Sequence, residues 1–515
     1  MDSQTPLRTY MKVFAAVSFV TAAITPKPVG PAHLDLPPTL QATAITWTAC
    51  PTDVKPFKGN NDTQAVQCAN FSVPINYNDA NGASVNLGIV KFPAAGKRIG
   101  NLFLNPGGPG GSAANTVLRV ASKKFYISDA IRQNFDIIGM DPRGVGLSSP
   151  QKCDTNLLNQ LSDFDATTPE GFEKLFNYNK AVGESCRALT GPLFDNMDTT
   201  LVARDLEAVR VAAGNEPMNY LGFSYGTQLG AQYAALFPTA IRAMALDGIL
   251  HHAGTSATNI VTEAASLDST IQAFFRFCEA NSSNCGEGGQ DIRQTWNKVI
   301  EVAKAGKLKA AECDGTPKTL CLTDATVSDV IGTTRSVLGN PIDRKDLAEQ
   351  LRLAMAGNGS LLTAELLSGD PFTDSSVVAI TNVLCQDGTF FAAKDHTEVQ
   401  LVADMTRTFT VTPGVGEFWK RVIDCTGYPV KISNPPAALS IKGMQNPALL
   451  VQSRFDPATS IVFAAGMARE FQNATMVLRE GSGHTSYKLG GDASRVIDDY
   501  LINLKVPPPG TVVQS

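Results

Sequence analysis

The sequence predicts an α/β fold in which a mostly parallel central sheet carries helices on both faces and is interrupted by a large, mainly helical insertion. Three observations predict this fold. Residues 201–237 read as helix, short apolar strand, sharp turn and helix, which is how successive strands of a parallel sheet are connected. Residues 251–440 consist instead mainly of amphipathic helical stretches. The alternation of strand and helix resumes at residue 448 and continues to residue 504.

The predicted strands are short apolar runs that end at turn-forming residues. The runs 71–75 and 84–92 flank a polar turn that contains Asn-Gly, a hairpin signal, and a proline restricts the first run to an edge position. The run 101–104 ends in a glycine-rich loop, and the run 135–140 is followed by Asp-Pro-Arg-Gly. The remaining predicted strands are 218–223, 243–250, 448–452 and 474–478.

The predicted helices have apolar residues spaced three and four apart along the chain. In residues 201–213 these positions form one face, and Gly214 can end the helix. Residues 225–237 are rich in Ala, Leu and Gln and stop at Pro238, as a helix would. The other predicted helices are 260–280, 292–305, 342–356, 459–471 and 493–504.

These elements divide the chain into six predicted segments. They are a signal peptide (1–23), a linker (24–44), the first part of the α/β core (45–250), a helical lid insertion (251–440), the C-terminal part of the core (441–506) and a loose tail (507–515).

The N-terminus has the layout of a secretory signal peptide. Arg8 and Lys12 precede the apolar stretch 13–24, and Ala22-Ala23 offers a cleavage point. The stretch is too short to cross a bilayer, which needs about 20 apolar residues. The sequence therefore predicts a secreted protein with no membrane anchor after cleavage.

Composition excludes some other classes of protein. The chain has 515 residues and a formal net charge of −5, with no long basic run, so we expect no nucleic-acid partner. No Cys-x-x-Cys occurs and no histidine stands at ligand spacing from a cysteine, so we expect neither a metal nor another cofactor. The oligomeric state is left open.

Ten cysteines agree with export to an oxidising compartment. They fall as near neighbours, and local disulfides are the natural interpretation, although spacing alone does not prove connectivity. The candidate pairs are Cys50 and Cys68, Cys153 and Cys186, Cys278 and Cys285, Cys313 and Cys321, and Cys385 and Cys425.

Five Asn-x-Ser/Thr sequons permit glycosylation in a secreted protein. Their number is close to what chance produces at this content of Asn, Ser and Thr. They are Asn61, Asn70, Asn281, Asn358 and Asn473.

The segment with the clearest chemistry is Gly222-Phe223-Ser224-Tyr225-Gly226, which fits the Gly-x-Ser-x-Gly nucleophile elbow. An elbow places a serine on a sharp turn between a strand and a helix, and the predicted elements on both sides of Ser224 supply that context. A serine in an ordinary loop is the alternative that this context disfavours.

A serine hydroxyl is a weak nucleophile, so it needs a histidine base that a carboxylate orients. Of five histidines, His484 lies in a small-residue loop just after the last predicted strand, where the base of such a sheet belongs. Asp456 follows the preceding predicted strand and is the preferred acid. Asp247, at the end of the strand after the elbow, is the alternative acid.

Backbone N–H groups must also stabilise the negative charge that develops on the substrate oxygen. Tyr225, the residue after the serine, is one candidate donor. Gly107 and Gly108 lie in the glycine-rich loop after the third predicted strand, and either could supply the second N–H group. This loop lacks the Gly-Lys-Ser/Thr ending of a phosphate-binding loop.

Together these motifs resemble the secreted tripeptidyl-aminopeptidase-like branch of the α/β-hydrolase superfamily, which is related to the proline iminopeptidases. The resemblance spans roughly residues 45–505 and implies an α/β-hydrolase fold with Ser224 as nucleophile, Asp456 as acid and His484 as base. The matching stretches are Val-Pro-Ile-Asn-Tyr (73–77), Asn-Pro-Gly-Gly-Pro-Gly (105–110), Asp-Pro-Arg-Gly-Val-Gly (141–146), Gly-Phe-Ser-Tyr-Gly (222–226) and Leu-Asp-Gly (246–248).

The resemblance implies a hydrolase that acts on a peptide or on a small ester or amide. The leading expectation is an exopeptidase that releases short peptides from free N-termini through an acyl-enzyme on Ser224. That activity requires a carboxylate in the lid to hold the substrate's α-ammonium group. The alternative is a carboxylesterase or small-molecule ester or amide hydrolase with the same triad. A catalytically silent binding protein is disfavoured because every required group is present.

Overall fold

The computed structural model describes residues 43–52, 65–79, 82–160, 164–280, 282–286, 289–316 and 318–514. The signal peptide, most of the linker, Asn61 and Asn281 lie outside these residues. The strands within them are β1 (Thr48–Ala49), β2 (Gln67–Pro74), β3 (Ser84–Phe92), β4 (Gly100–Asn105), β5 (Phe135–Met140), β6 (Met218–Phe223), β7 (Ile241–Asp247), β8 (Ala448–Phe455), β9 (Ala474–Ser482) and β10 (Val512–Gln514).

All of these strands belong to one sheet, in the order β1-β2-β3-β5-β4-β6-β7-β8-β9-β10. The first three pairings along this order, β1–β2, β2–β3 and β3–β5, are antiparallel. Every pairing from β5–β4 to β9–β10 is parallel. The prediction of a mostly parallel sheet is therefore confirmed.

Helices connect the parallel strands and cover both faces of the sheet. The helices of eight or more residues are α1 (Ala113–Ala121), α4 (Pro169–Thr190), α5 (Thr199–Ala212), α6 (Tyr225–Leu236), α7 (Ser256–Ala280), α8 (Ile292–Lys304), α9 (Val327–Val337), α10 (Arg344–Met355), α11 (Pro371–Gln386), α12 (His396–Thr408), α13 (Ile461–Ala468) and α14 (Gly491–Asn503). The two shorter α-helices are α2 (Asp129–Asn134) and α3 (Thr155–Leu158).

Each strand contributes to two separate cores because successive side chains point to opposite faces of a sheet. Phe103 of β4 packs in the core beneath α5, α6 and α13, whereas its neighbour Leu102 packs in the core beneath α1 and α14. Both side chains are almost completely buried. The sheet is therefore packed on both faces, and this packing fixes the positions of the loops at the carboxyl ends of its parallel strands.

The segment between β7 and β8 contains helices α7 to α12 and has a hydrophobic core of its own around Trp296 and Trp419. We call residues 251–440 the lid. Side chains from the loop and helix after β5 also join this packing, namely Ala166 and Leu175. The sequence assigns those residues to the α/β core, because nothing in their local pattern indicates which core they enter.

The five disulfides in the structure are the five neighbour pairs named from the sequence, and they leave no free cysteine. The bond between Cys385 and Cys425 joins the end of α11 to a later loop of the lid. The exposed sequons are Asn70 and Asn473, while Asn358 is half-buried and donates to Glu312 at 2.8 Å.

The prediction of a loose tail at residues 507–515 is wrong. Val512–Gln514 forms β10, which pairs in parallel with β9 at the edge of the sheet, and Val513 is buried. The chain turns back through a hydrogen bond from the N–H of Thr511 to the carbonyl of Pro508 (3.2 Å). Three residues are too few for a strand signal by periodicity, so only pairing with β9 reveals the strand.

Candidate active site

Ser224 lies between β6 and α6 with φ +57° and ψ −125°, a conformation that few non-glycine residues adopt. Such a residue costs on the order of 1–3 kcal/mol and persists only when its surroundings hold it in place. Here the N–H of Ser224 donates to the carbonyl of Asp247 (3.0 Å), and the hydroxyl of Thr227 donates to the carbonyl of Ser224 (2.6 Å). The strained turn that the elbow motif requires is therefore present.

The two glycines of the motif are required by close backbone contacts. A Cβ on Gly222 would lie 2.5 Å from the carbonyl oxygen of Gly226. A Cβ on Gly226 would lie 2.7 Å from the carbonyl oxygen of Asn105, the last residue of β4. The second contact brings the elbow against the end of β4, and a side chain at either position would clash with the backbone.

His484 follows β9 and contacts Asp456, which follows β8. The two carboxylate oxygens of Asp456 lie 2.9 and 3.0 Å from Nδ1 of His484. The carboxylate also accepts hydrogen bonds from the N–H groups of Ala458 (2.9 Å) and Thr459 (2.8 Å). Asp456 is 1 % exposed, so the pair is shielded from solvent on the acid side.

The environment of Asp456 keeps it ionised. Burial by itself raises the pKa of this carboxyl, but the charge and hydrogen bond of His484 and the N–H groups of Ala458 and Thr459 together outweigh burial and lower the pKa below its usual value. An ionised carboxylate only accepts hydrogen bonds, so Nδ1 of His484 carries a proton. Nε2 of the neutral ring is then the free base.

The alternative acid, Asp247, has a different set of partners. It is fully buried, and its carboxylate accepts hydrogen bonds from the N–H groups of Ser486 (2.7 Å) and Tyr487 (2.8 Å). Asp247 therefore holds the loop that carries His484, while the histidine ring bonds to Asp456. The structure brings together the preferred acid and base of the sequence and leaves the alternative acid in a supporting position.

The histidine loop lies next to the elbow. The carbonyl of Asp247 holds the backbone of Ser224, and the next residue, Gly248, turns with φ +74°. A Cβ on Gly248 would lie 3.4 Å from Cε1 of His484. This turn also explains why β7 ends at Asp247 and not at residue 250 as predicted.

The glycine-rich loop after β4 lies against the other side of the elbow. A Cβ on Gly107, which has φ +89°, would lie 2.9 Å from Cβ of Ser224 and 3.0 Å from the backbone nitrogen of Tyr225. The N–H of Gly107 is already occupied, because it donates to Oδ1 of Asn105 at 2.9 Å.

Two of the backbone N–H groups named from the sequence as oxyanion donors have no hydrogen-bond partner among the described residues. Within the described residues no hydrogen bond uses the N–H of Gly108, and the N–H of Tyr225 is the first of α6 and has no carbonyl one turn earlier to bond. Of the two glycines that the sequence left open, Gly108 therefore has the free donor.

The lid reaches this site through residues that the sequence analysis did not single out. Ser266 of α7 donates to the carbonyl of Asp456 (2.8 Å), and the N–H of His484 donates to the carbonyl of Gly339, just after α9 (2.8 Å). Glu263, one turn before Ser266, is buried and lies 3.5 Å from Arg335. Burial raises the pKa of Glu263, and the charges of Arg335 and His484 oppose this. No local motif marks Glu263, so only the packing of α7 reveals its position.

Among the described residues no group of three or more His, Cys, Asp or Glu side chains is arranged to hold a metal ion. The helices that the model describes include none with the length and hydropathy of a membrane span.

Family models match two parts of the chain. Residues 100–284 match a model described as an alpha/beta hydrolase fold, and residues 412–513 match a model described as TAP-like protein. The first match contains the elbow and the glycine-rich loop, and the second contains Asp456 and His484.

Three curated relatives extend the comparison over most of the chain. Serine protease Hip1 of Mycobacterium tuberculosis is 25 % identical, with 90 % of each chain covered. The tripeptidyl aminopeptidase of Streptomyces lividans is 27 % identical over 88 % of this chain and 83 % of its own length. Carboxylesterase B of Mycobacterium tuberculosis is 28 % identical over 90 % of this chain and 88 % of its own.

The sheet, the elbow and these matches define the class of protein as a serine hydrolase with the α/β-hydrolase fold. The TAP-like match over residues 412–513 agrees with the resemblance that the sequence indicated.

Proposed function

We propose that this serine hydrolase is a secreted exopeptidase that releases short peptides from free N-termini through an acyl-enzyme on Ser224. The observation that carries the proposal is the His484–Asp456 pair beside the elbow, with the glycine-rich loop against the elbow's other side and free N–H groups on Gly108 and Tyr225. The relatives named as a serine protease and as a tripeptidyl aminopeptidase support the choice of peptides as substrates.

The proposed reaction has two half-reactions. Nε2 of His484 takes the hydroxyl proton as Oγ of Ser224 attacks the scissile carbonyl carbon, and the N–H groups of Gly108 and Tyr225 stabilise the resulting oxyanion. Collapse breaks the C–N bond, and the proton on Nε2 passes to the leaving amine. Water then attacks the acyl-enzyme with His484 as base, which releases the peptide acid and restores Ser224. Asp456 stays ionised throughout and stabilises the imidazolium.

Glu263 is the lid carboxylate that fits the recognition of a free N-terminus. It lies on α7 one turn from Ser266, which bonds to the backbone of Asp456, and its pKa responds to the charges of both His484 and Asp456. A buried carboxylate one helical turn from the residue that contacts Asp456 can hold the substrate's α-ammonium group while the peptide extends toward Ser224. Arg335 would be displaced from Glu263, or would share it, when that group binds.

A paired assay tests this activity. A tripeptide reporter with a free amine, the same reporter with a blocked amine, and a short-chain ester are compared with the wild-type protein and with Glu263→Gln. Two results together support the proposal. The wild type cleaves the free-amine reporter, and Glu263→Gln lowers kcat/KM at least about tenfold for that substrate alone. Glu279→Gln on the same helix, whose partner is Arg293, is the matched control. Equal cleavage of blocked and free reporters contradicts an aminopeptidase.

The role of Ser224 is tested separately. Ser224→Ala should lower turnover by several orders of magnitude and abolish labelling by an aryl phosphonate, while far-UV circular dichroism and the melting temperature stay near those of the wild type. Near-normal turnover by this variant would refute the acyl-enzyme.

A carboxylesterase is the second candidate function, because a relative of similar coverage carries that name. The same triad and oxyanion donors would then act on a small ester or amide. Turnover of the ester alone in the paired assay would select this alternative and leave the role of Ser224 intact.

Secretion and glycosylation complete the proposal. Five disulfides are typical of proteins that fold in an oxidising compartment, and the N-terminal sequence has the layout of a signal peptide. The exposed sequons Asn70 and Asn473 are the best placed to carry glycans. N-terminal sequencing and intact-mass measurement of exported protein test the cleavage after Ala23 and the glycans together.

A further inference from the structure

A carboxylate of the lid is buried beneath the elbow. Asp387 directly follows α11 and is fully buried. One of its oxygens accepts the N–H of Thr199 (3.0 Å) and the side-chain amide of Asn434 (2.9 Å). The other accepts the hydroxyl of Thr199 and the side-chain amide of Gln228 (3.0 Å). These four donors occupy all the acceptor positions of the carboxylate, so Asp387 carries no proton of its own in this arrangement.

These bonds set the direction of a hydrogen-bond chain that ends at Tyr225. The hydroxyls of Tyr225 and Thr199 lie 2.6 Å apart, and both residues are buried. Thr199 has one hydroxyl hydrogen and donates it to Asp387, so Tyr225 must be the donor to Thr199. The chain therefore runs from Tyr225 through Thr199 to Asp387. If the buried hydroxyl of Tyr225 lost its acceptor, the fold would lose stability and the side chain of Tyr225 would lose its fixed position.

The backbone of Tyr225 supplies one of the two free N–H groups beside Ser224, so its side chain anchors the peptide unit that faces the substrate oxygen. Gln228, one turn further along α6, is held by the same carboxylate. Asp387 thus fixes the first turn of α6 at two points. Other anchors of the elbow, such as the bond from Ser224 to Asp247, come from the α/β core.

The other end of α11 contacts the second half of the site. The N–H of Gly146 donates to the hydroxyl of Ser375 (3.2 Å), and a Cβ on Gly110 would lie 2.4 Å from the carbonyl oxygen of Ser376. Gly110 belongs to the same loop as Gly108. One helix of the lid therefore supports both the loop of Gly108 and the anchor of Tyr225.

We propose that Asp387 is a positioning residue of the oxyanion hole, through which the lid holds the N–H group of Tyr225 in the orientation that stabilises the transition state. The proposal rests on the proposed function of Ser224. It gives the lid a part in the chemical step in addition to substrate selection, because a small displacement of an oxyanion donor is felt mainly in the transition state.

Asp387→Asn tests the proposal. If the amide nitrogen replaces the oxygen that faces the N–H of Thr199, that backbone hydrogen bond is lost. If it replaces the other oxygen, the hydroxyl of Thr199 must become the acceptor, which reverses the chain and leaves the hydroxyl of Tyr225 without its acceptor. We expect kcat to fall about 10- to 100-fold with KM within about twofold, because a donor is displaced and not removed. Phosphonylation of Ser224 by an uncharged aryl phosphonate, whose oxygen occupies the same hole, should slow by a similar factor.

Asp268→Asn is the matched control. Asp268 is another buried carboxylate of the lid, and it accepts the N–H groups of Val411 (3.2 Å) and Thr412 (2.7 Å). Its variant also removes a buried charge from the lid, but its two donors share one oxygen, which can remain the amide oxygen, and kcat should stay within about twofold of the wild type. Equal losses of kcat in both variants, or wild-type kcat in Asp387→Asn, would overturn the positioning role.

Tyr225→Phe keeps the proposal testable if Asp387→Asn does not fold. This variant removes only the hydroxyl and leaves the backbone N–H and the Thr199–Asp387 bond in place. It should lower kcat with KM unchanged, and full kcat in this variant would refute the chain. If Ser224→Ala retains turnover, the proposed function itself is contradicted, and this result is independent of the outcome for Asp387.

Discussion

Replacement of Asp456 by Asn should abolish almost all turnover because it forces the wrong tautomer on His484. Oδ1 of Asp456 accepts the N–H groups of Ala458 and Thr459, whereas Oδ2 accepts only a long bond from Thr485 (3.4 Å) besides the histidine. The amide oxygen of the variant will therefore take the position of Oδ1, and the amide NH2 group will face the ring. Nδ1 lies 3.0 Å from the position of that NH2 group, and a ring that accepts its hydrogen bond carries the proton on Nε2.

The size of the effect follows from this geometry. A histidine protonated on Nε2 cannot accept the hydroxyl proton of Ser224, so the loss approaches that of removing the base. In other serine hydrolases, loss of the triad acid costs about 10⁴-fold in kcat, which is about 5.5 kcal/mol of transition-state stabilisation. Folding should survive, because the two short backbone bonds to Oδ1 are retained.

Asp247→Asn provides the comparison. The oxygen of Asp247 that accepts both Ser486 (2.7 Å) and Tyr487 (2.8 Å) can become the amide oxygen, so both bonds survive. Burial also raises the pKa of Asp247, so a neutral amide relieves a buried charge there. We expect kcat to fall by no more than about tenfold.

The assay is steady-state hydrolysis of the preferred substrate from the paired test, with melting temperature and far-UV circular dichroism as controls for folding. The ranking of the two variants is the decisive result. If Asp456→Asn keeps more than about a tenth of the wild-type kcat, the tautomer argument is wrong. If Asp247→Asn is the more damaging variant, the role of acid passes to Asp247.

Two further predictions concern the glycine-rich loop and the stability of the protein at low pH. Gly107→Ala should lower kcat by about 100-fold, because its Cβ would lie 2.4 Å from the carbonyl oxygen of Phe223 and would push the loop away from the elbow. Gly306→Ala is the control, because Gly306 has φ +65° but no atom within 4 Å of the added Cβ. It should lower stability without loss of kcat. The pKa of folded Asp456 lies below its unfolded value of about 3.9, so the unfolded state binds more protons in that range and stability falls as pH drops through it. Urea unfolding at about pH 5 and about pH 3 should therefore show a shallower loss of free energy of unfolding for Asp456→Asn than for the wild type, and parallel slopes would contradict this sign.

Most strands of the sheet could be predicted because their apolar runs are local signals. The runs at 84–92, 135–140 and 218–223 have the same bounds in the structure. The strand Val512–Gln514 could not be predicted, since three residues carry no periodicity and its stability comes from pairing with β9. The half-buried helix α4 shows the same limit, because its local pattern does not tell which of two cores it joins.

Some residues of the site could likewise be predicted from the sequence, and others could not. Ser224, Asp456 and His484 stand out by motif and by their place after predicted strands, and the structure joins the last two through a direct hydrogen bond. The choice of Gly108 over Gly107 depends on a side-chain bond from Asn105, which spacing cannot reveal. Glu263 and Asp387 lie far from the elbow in the chain and reach its surroundings only through the packing of the lid.

Local sequence was sufficient to predict the class of fold, the sharp turn at Ser224 and the residue types that can act there, because glycine spacing, strand length and turn chemistry are properties of short segments. Which carboxylate bonds to His484, and how the lid reaches the elbow, could be seen only in the folded chain. Those features depend on hydrogen bonds between residues from 28 to more than 180 positions apart. Such bonds form when separate strands and helices pack, and no local pattern records them.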